Sequence, residues 1–301
     1  MAKKDKSKTK LSFDDFFSEF YSSRWDTLKK AMIEKDFKVW RRNKFSDLKM
    51  CESLELRPIE WLESCYYPGE NSEDLKLCDE NGIRLFYGMD PASIIVARTL
   101  AINSGDEVLD MCAAPGGKTL VLFESLVDGG NQKSNEVSRT RRDRLKRVIR
   151  DYIPEEKRMR ISISGKDGLR FGLDEVETYD KILVDAPCSG EKHILESESE
   201  LSKWTVKRTK RLAGLQYGLL CSALLAAKKE AEIVYSTCSI SPLENDDVLE
   251  KLLSKKGDQF EFSPLEGPIY DLGEKTKYGV IFLPDHCGFG PLFVSRLKKI
   301  N

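Results

Sequence analysis

The apolar positions of the chain follow two regimes. Near the start they recur at helical spacing. Phe13, Phe16, Phe17 and Phe20 share one face behind a Ser12/Asp15 pair spaced like a capping box, and Trp25, Leu28 and Met32 line the inward face of a second helix beginning near Ser23. Between Trp40 and Asp90 the pattern is irregular and interrupted by Pro58 and Pro68-Gly69, so residues 1–90 are expected to form a tail and a small, mainly helical extension. From Pro91 onward short apolar runs alternate with amphipathic ones. A helix over 91–103 precedes the strand Val108-Leu109-Asp110-Met111, a helix resumes at Lys118, and a weakly strand-like 131–136 leads to a basic helix over 139–152 and a strand over 159–164. The run 181–185 reads as a fully buried strand, 201–227 as one long helix with Trp204, Leu212 and Leu219 on one side, and 232–237 as a further strand. Ser241-Pro242 with Glu244 predicts a capped helix through Leu253, and strands near Phe260 and over 291–297 complete the chain. This alternation predicts an α/β domain over 91–301, with a doubly wound, mostly parallel sheet that binds ligands at the carboxyl ends of its strands.

The stretch Glu-Val-Leu-Asp-Met-Cys-Ala-Ala-Pro-Gly-Gly-Lys-Thr (107–119) organises that domain. An acidic strand end, a Pro115-Gly116-Gly117 turn and a helix start set unpaired N–H groups beside two residues without Cβ atoms, which suits a nucleotide-like cofactor lying against the backbone. A lone Gly-Gly would serve any strand-to-helix turn, and Asp110 and Lys118 on either side favour the ligand. Glu136 closes the second strand, where a carboxylate can accept hydrogen bonds from ribose hydroxyls, and Asp167-Gly168 closes the third, placed for an adenine amino group. The fourth strand ends in Asp185-Ala-Pro-Cys188-Ser-Gly and the fifth in Tyr235-Ser-Thr-Cys238-Ser.

Composition narrows the function classes. With 33% charged and 40% hydrophobic residues the chain is an ordinary globular one, and no apolar run approaches the roughly 20 residues of a membrane span. A formal net charge of -1 gives no global attraction to nucleic acid, so any such partner is held by local patches. Three stretches, 29–44, 139–150 and 203–211, hold seven, seven and five basic residues, and each suits either a solvated helix face or a row of phosphate contacts. The eight cysteines lack any Cys-x-x-Cys pair and only two histidines accompany them, which speaks against structural zinc and a disulfide framework. Cys51, Cys65, Cys78 and Cys221 read as small buried fillers. The lysine-rich residues 1–10, without arginine or an apolar face, make a poor transit peptide as they stand.

Cys188 and Cys238 differ from those fillers because both leave strands on the side of the glycine turn. Two thiols, a carboxylate and an adenosyl cofactor without a metal suit methylation at carbon 5 of cytosine. That carbon is a poor nucleophile until a thiolate adds to C6 and turns the ring into an enamine. One cysteine attacks, a second assists release, and a carboxylate such as Asp185 holds or protonates N3 as charge builds. A helix beginning at Ser241-Pro242 is expected to favour the Cys238 thiolate through its dipole.

The motifs at 110–119, 185–189 and 235–239 resemble those of the Nop/Sun (NSUN-type) RNA cytosine-5 methyltransferases, over about residues 90–301. Residues 14–25, 152–156 and 288–292 are similar to the mitochondrial ribosomal-RNA branch of that family. The resemblance implies a Rossmann-like fold, S-adenosyl-L-methionine as cofactor, Cys238 as nucleophile and Cys188 as the thiol that aids release. It places cofactor contacts on Cys112, Ala113, Ala114, Pro115, Gly116, Gly117, Lys118, Glu136, Arg141, Asp167, Gly168 and Asp185. Many relatives carry aspartate where Glu136 stands, and many have a separate RNA-binding domain that is not evident here. It further implies RNA as partner (ribosomal RNA, with transfer RNA second), a helical-repeat protein partner of the mitochondrial transcription-termination-factor type, and a mitochondrial location. Two rivals use the same fold: an amino-group methyltransferase, in which Cys238 would be idle, and a ribosome-assembly factor that binds RNA without catalysis.

Overall fold

The computed structural model describes residues 11–301 apart from 36, 48, 51–53, 55, 69–75, 127 and 128, so Cys51 and the lysine-rich start lie outside the described residues. Helix α1 (Phe13–Tyr21) is capped by Ser12, whose Oγ accepts the Asp15 N–H at 3.1 Å, and α2 (Trp25–Glu34) follows a single 3₁₀ turn. Phe13, Phe16 and Phe17 pack on Trp204 of the larger domain, with ring centroids 5.1, 5.3 and 6.0 Å away, so this pair of helices is docked rather than free-standing.

The irregular stretch that followed was expected to be mainly helical. It instead contains a three-stranded antiparallel sheet of β1 (Val39–Arg42), β2 (Cys65–Tyr66) and β3 (Phe86–Met89), in the order β2-β1-β3. The strands escaped the hydrophobic pattern for a physical reason. In β1 the residues Val39, Trp40 and Arg41 are all buried, so no polar alternation marks it, and β2 is two residues long. Arg41 can lie inside because its guanidinium meets the buried carboxylate of Glu124.

Among the described residues the main sheet has nine strands. Among them are β4 (Glu107–Asp110), β5 (Asn131–Asn135), β6 (Ile161–Ser164), β7 (Tyr179–Asp185), β8 (Ala227–Thr237), β9 (Phe260–Phe262), β10 (Glu274–Lys275), β11 (Val280–Phe282) and β12 (Leu292–Lys299). The order is β10-β11-β12-β8-β7-β4-β5-β6, with β9 also paired to β12. Strands β6, β5, β4, β7 and β8 are mutually parallel, and β12 returns antiparallel to β8. This is a Rossmann-like, doubly wound fold. The strand order reverses between β4 and β7, which opens a crevice at their carboxyl ends. Alternate side chains on the central strands enter opposite cores: Leu109, Ile182, Val184 and Tyr235 on one face, Val108, Leu183 and Val234 on the other.

The helices on those faces are α3 (Pro91–Thr99), α4 (Gly117–Ser125), α5 (Arg139–Tyr152), α6 (Glu191–Leu195), α7 (Glu198–Lys203), α8 (Val206–Ala226) and α9 (Asp246–Lys256). The helix expected over 201–227 is thus two. Trp204 turns extended to enter the aromatic cluster, and Thr205 Oγ1 caps the new start by accepting the Arg208 N–H at 3.3 Å. The helix expected from Ser241-Pro242 is a 3₁₀ turn there, and α9 begins only at Asp246. Ser241 makes no side-chain cap and Glu244, expected to complete it, turns inward to Ser189.

Candidate active site

The crevice at the switch point is a cleft of about 660 Å³, and a recess of about 190 Å³ adjoins it beside the 112–118 turn. Both are bounded by Cys112, Ala114, Pro115, Lys118 and Asp185, and the larger also by Arg141, Cys188 and Cys238. Strand register brings these together, because Asp110 sits beside Leu183 and Asp185 beside Ser236 at the same edge of the sheet.

The two thiols that leave β7 and β8 meet. Cys188 and Cys238 have Cα atoms 6.3 Å apart with their sulfurs in disulfide contact, and the Cys238 N–H donates to Cys188 Sγ at 3.2 Å. Both are half-buried in the lining of the cleft, whereas Cys65 is buried in β2 opposite Arg41, and Cys78 and Cys221 are half-buried away from it. Asp185 is fixed from two sides: Lys118 Nζ donates to Oδ2 at 2.9 Å and Ser236 Oγ to Oδ1 at 2.7 Å. The carboxylate keeps about a quarter of its surface open toward the cleft. Deeper in, Asp110 accepts from Thr119 Oγ1 at 2.6 Å, and burial pushes its carboxyl up to about 7. Burial likewise raises the Cys112 thiol, which suits a lining group rather than a nucleophile.

The glycine turn works differently from the expectation. Gly116 has φ +121°, and a Cβ there would meet Val148 at 2.9 Å; a Cβ on Gly117 would meet Tyr87 at 2.9 Å. The space the two missing Cβ atoms free is filled by side chains of α5 and β3, so the glycines let the elements around the turn close up, while Gly117 still borders the recess together with Cys112–Pro115 and Lys118.

Glu136 follows β5 and is buried. Its Oε1 accepts the Ser138 N–H at 2.9 Å, while Oε2 lies 3.1 Å from Arg141 Nη1 without hydrogen-bond alignment and has no donor. Arg141 is held by the Ala114 carbonyl at 2.6 Å. A buried acceptor without a donor beside the turn fits a ligand that brings hydroxyls. Asp167 and Gly168 stand outside the cleft lining. Asp167 is exposed and accepts the Leu169 N–H at 3.1 Å, and Gly168 is buried, where a Cβ would strike Leu219. No helix start lies next to Cys238. The N–H groups after it are taken by Thr237, Glu191 and Ser239, so the expected dipole of a helix at Ser241 is not available. Sequence reasoning also missed Asp90, which accepts from Ala92 N–H at 2.8 Å and Gly290 N–H at 2.9 Å and so ties α3 to the loop before β12 at the cleft wall. Asp before Pro91 is a helix-cap signal that the pattern reading passed over.

Residues 97–298 match the family model described as 16S rRNA methyltransferase RsmB/F. The chain belongs to that family. Among curated relatives it is similar to the "5-cytosine rRNA methyltransferase NSUN4" of Bos taurus, 34% identical over 73% of this chain and 61% of the relative. It is also similar to the mitochondrial "tRNA (cytosine(34)-C(5))-methyltransferase" of Danio rerio, 33% identical over 72% and 62%. The chain thus spans about three-fifths of the length of the curated relatives it matches. Among solved structures the NSun6 of Pyrococcus horikoshii, solved with SFG, superposes with a TM-score of 0.76 at 17% identity over 97% of this chain and 98% of that one. As a member of the RsmB/F family the chain carries its two motif cysteines on one cleft, together with the 112–118 turn and Asp185.

Proposed function

We propose that this chain is an S-adenosyl-L-methionine-dependent RNA cytosine-5 methyltransferase that works through a covalent Cys238–cytosine adduct, with residues 91–301 as the catalytic unit and 1–90 as its extension. The observation that carries it is the meeting of Cys188 and Cys238 beside Asp185 in the lining of one cleft. An amino-group methyltransferase or a binding platform has no use for two thiols at that place.

When bound, S-adenosylmethionine supplies an electrophilic sulfonium methyl group. Glu136 Oε2 offers the acceptor for ribose hydroxyls, with Arg141 bracing it, and Cys112–Lys118 line the recess for the donor. Asp167-Gly168 would take the adenine edge. A cytosine unstacked from its RNA enters the larger cleft, and Asp185, held by Lys118 and Ser236, orients its N3–N4 edge. With both thiols reduced, the Cys238 thiolate forms a bond to C6 and the C5–C6 π pair moves to C5; that pair takes the methyl group of a sulfonium held in the adjoining recess, and the electrons of the broken S–CH3 bond stay on the sulfur. The C5 proton then passes to Cys188, the pair it leaves restores the C5–C6 double bond, and the Cys238–C6 bond breaks. The exposed basic side of α5, with Arg139, Arg144, Lys146 and Arg147, is available for phosphates.

The names of the relatives support ribosomal RNA as substrate and transfer RNA as the second class, and the mitochondrial transfer-RNA relative supports a mitochondrial location, with small-subunit ribosomal RNA of that compartment as the proposed target. A helical-repeat partner would supply the RNA affinity that a chain of net charge -1 lacks. The test is trapping. Cys188→Ala is expected to accumulate a denaturation-resistant protein–RNA adduct, and Cys238→Ala to give neither adduct nor 5-methylcytosine. Trapping by Cys238→Ala with an inert Cys188→Ala would reverse the assignment. Bisulfite sequencing of RNA from cells lacking the protein identifies the nucleotide.

A further inference from the structure

Two buried acids tie together the loops that carry the thiols, and the methyl transfer itself uses neither. Glu191 opens α6 just after the Cys188 loop, and Glu244 stands in the 3₁₀ turn after Cys238; neither has any exposed surface. Glu244 Oε2 accepts from the Ser189 N–H at 3.0 Å and from Gln216 Nε2 at 2.7 Å, and its Oε1 contacts Ser189 Oγ. Glu191 Oε2 accepts the Ile240 N–H at 3.1 Å. Between the two acids, Ser239 Oγ lies 3.1 Å from Glu191 Oε1 and 3.2 Å from Glu244 Oε1 while accepting the Ser241 N–H at 3.0 Å.

A hydroxyl has one hydrogen and two lone pairs, and an ionised carboxylate can only accept. One hydrogen cannot satisfy two carboxylates. With one Ser239 lone pair filled by the Ser241 N–H, the arrangement closes only if one acid carries a proton and donates it to Ser239 Oγ, while the Ser239 O–H donates to the other. Glu244 already faces three donors, from Ser189 N–H, Ser189 O–H and Gln216, and is the ionised member.

We infer that Glu191 is held as a neutral carboxylic acid whose proton, passed through Ser239, ties the Cys188 loop to the Cys238 loop and makes Glu191 a positioning residue for the nucleophile. The role in catalysis rests on the cytosine-5 reading of those thiols. Burial, and then the charge of Glu244, push Glu191 up to about 8, in the same sense as the hydrogen count. The groups facing the pair are otherwise neutral at pH 7. Tyr21 from α1 donates to the Ile240 carbonyl at 2.7 Å, Tyr235 from β8 to the Glu244 carbonyl at 2.5 Å, and Thr209 and Gln216 come from α8. The nearby Arg24 is engaged by Glu274 and Asp285.

An acid with a raised folded-state pKa ionises first in the unfolded chain. Its stabilisation is therefore complete below about pH 4.5 and lost as pH rises through about 8. Glu191→Gln supplies a permanent N–H donor to Ser239 and an acceptor to Ile240. In the full chain it is expected to melt with the wild type at pH 5 and about 5 °C above it at pH 8. Glu191→Ala is expected to lower kcat about tenfold, measured as tritium transfer from labelled S-adenosylmethionine to RNA from cells lacking the protein, with KM for the cofactor within about twofold. Glu191→Gln should recover that loss and remain active at pH 9, where the wild type declines. A Glu191→Gln melting curve that parallels the wild type from pH 5 to 8, or activity as low as that of Glu191→Ala, would overturn the inference. If the predicted melting shift appears while wild-type protein transfers no methyl group, the proton tie stands and the cytosine-5 reading fails.

Discussion

A buried ion pair, Arg41–Glu124, joins the small antiparallel sheet to the helix that follows the 112–118 turn, and its removal gives a quantitative test. Arg41 lies in β1 and Glu124 in α4, the helix that starts at the turn; their side chains are 2% and 3% exposed. Among the described residues the guanidinium reaches, besides Glu124, only the Arg42 carbonyl, at 3.3 Å, and Nε, Nη2 and Glu124 Oε1 have no partner. Arg41→Met leaves a buried carboxylate with no cation and both oxygens without donors. Breaking such a pair from one side costs about 3–5 kcal/mol. For a chain of this length, an unfolding entropy of about 0.6 kcal/mol per degree turns that into a melting temperature lower by about 5–8 °C. The double variant Arg41→Met/Glu124→Leu removes the desolvation penalty along with the attraction, and is expected to return to within about 1.5 kcal/mol of the wild type. Thermal and urea unfolding of the four proteins gives the coupling directly. A single variant that loses under about 1 kcal/mol, or a double variant less stable than either single one, would refute the reasoning. Saturating S-adenosylmethionine should raise the melting temperature of wild type and double variant alike, because the turn itself is untouched.

Two further outcomes follow from the same geometry. Glu136→Gln keeps the side-chain shape but weakens the acceptor offered to ribose hydroxyls, so calorimetry should show S-adenosylmethionine binding about ten- to a hundredfold weaker, and Asp167→Ala should weaken it by a smaller factor. Unchanged affinity in either would remove that residue from the cofactor site. Trp204→Ala opens a hole beneath Phe13, Phe16 and Phe17 and is expected to cost about 3–5 kcal/mol in urea unfolding, with protection of α1 from hydrogen exchange lost first; a loss below about 1 kcal/mol would mean that α1 is not docked through this ring.

The parts of this fold that the sequence discloses are those where one local rule acts alone. The alternating strands and helices from Pro91 onward follow from hydrophobic period, except β5, whose five residues are all polar and which is marked only by its place between two helices. Ser12 as a helix cap follows from its spacing to Asp15. The parts that stay hidden are those where a polar group is buried by a partner far along the chain. Arg41 in β1 is legible as a strand residue only once Glu124, 83 residues on, is known to face it. Glu244 sits at the spacing of a capping residue and is drawn away by Ser189, 55 residues earlier. The cleft shows the same division. Periodicity places Asp185, Cys188 and Cys238 at strand ends and Lys118 at a helix start, and strand order then brings them together. What each contributes is set by contacts that the pattern does not encode.

The glycine turn makes the point most sharply. From the sequence, Gly116 and Gly117 look like room for a ligand, because a missing Cβ is space. In the folded protein that space is occupied by Val148 and Tyr87. A glycine reports only that something approaches closely, and a neighbouring helix is as good a visitor as a cofactor. The evidence for a ligand at this turn is therefore carried by unsatisfied chemistry rather than by the motif. Glu136 Oε2 is buried without a donor, and Asp185 is held with part of its surface open to the cleft. Other buried acceptors lack donors too, Glu124 Oε1 among them; Glu136 Oε2 differs in standing with Arg141 beside the turn, where a ligand that brings hydroxyls would recover a cost of about 1–3 kcal/mol on binding.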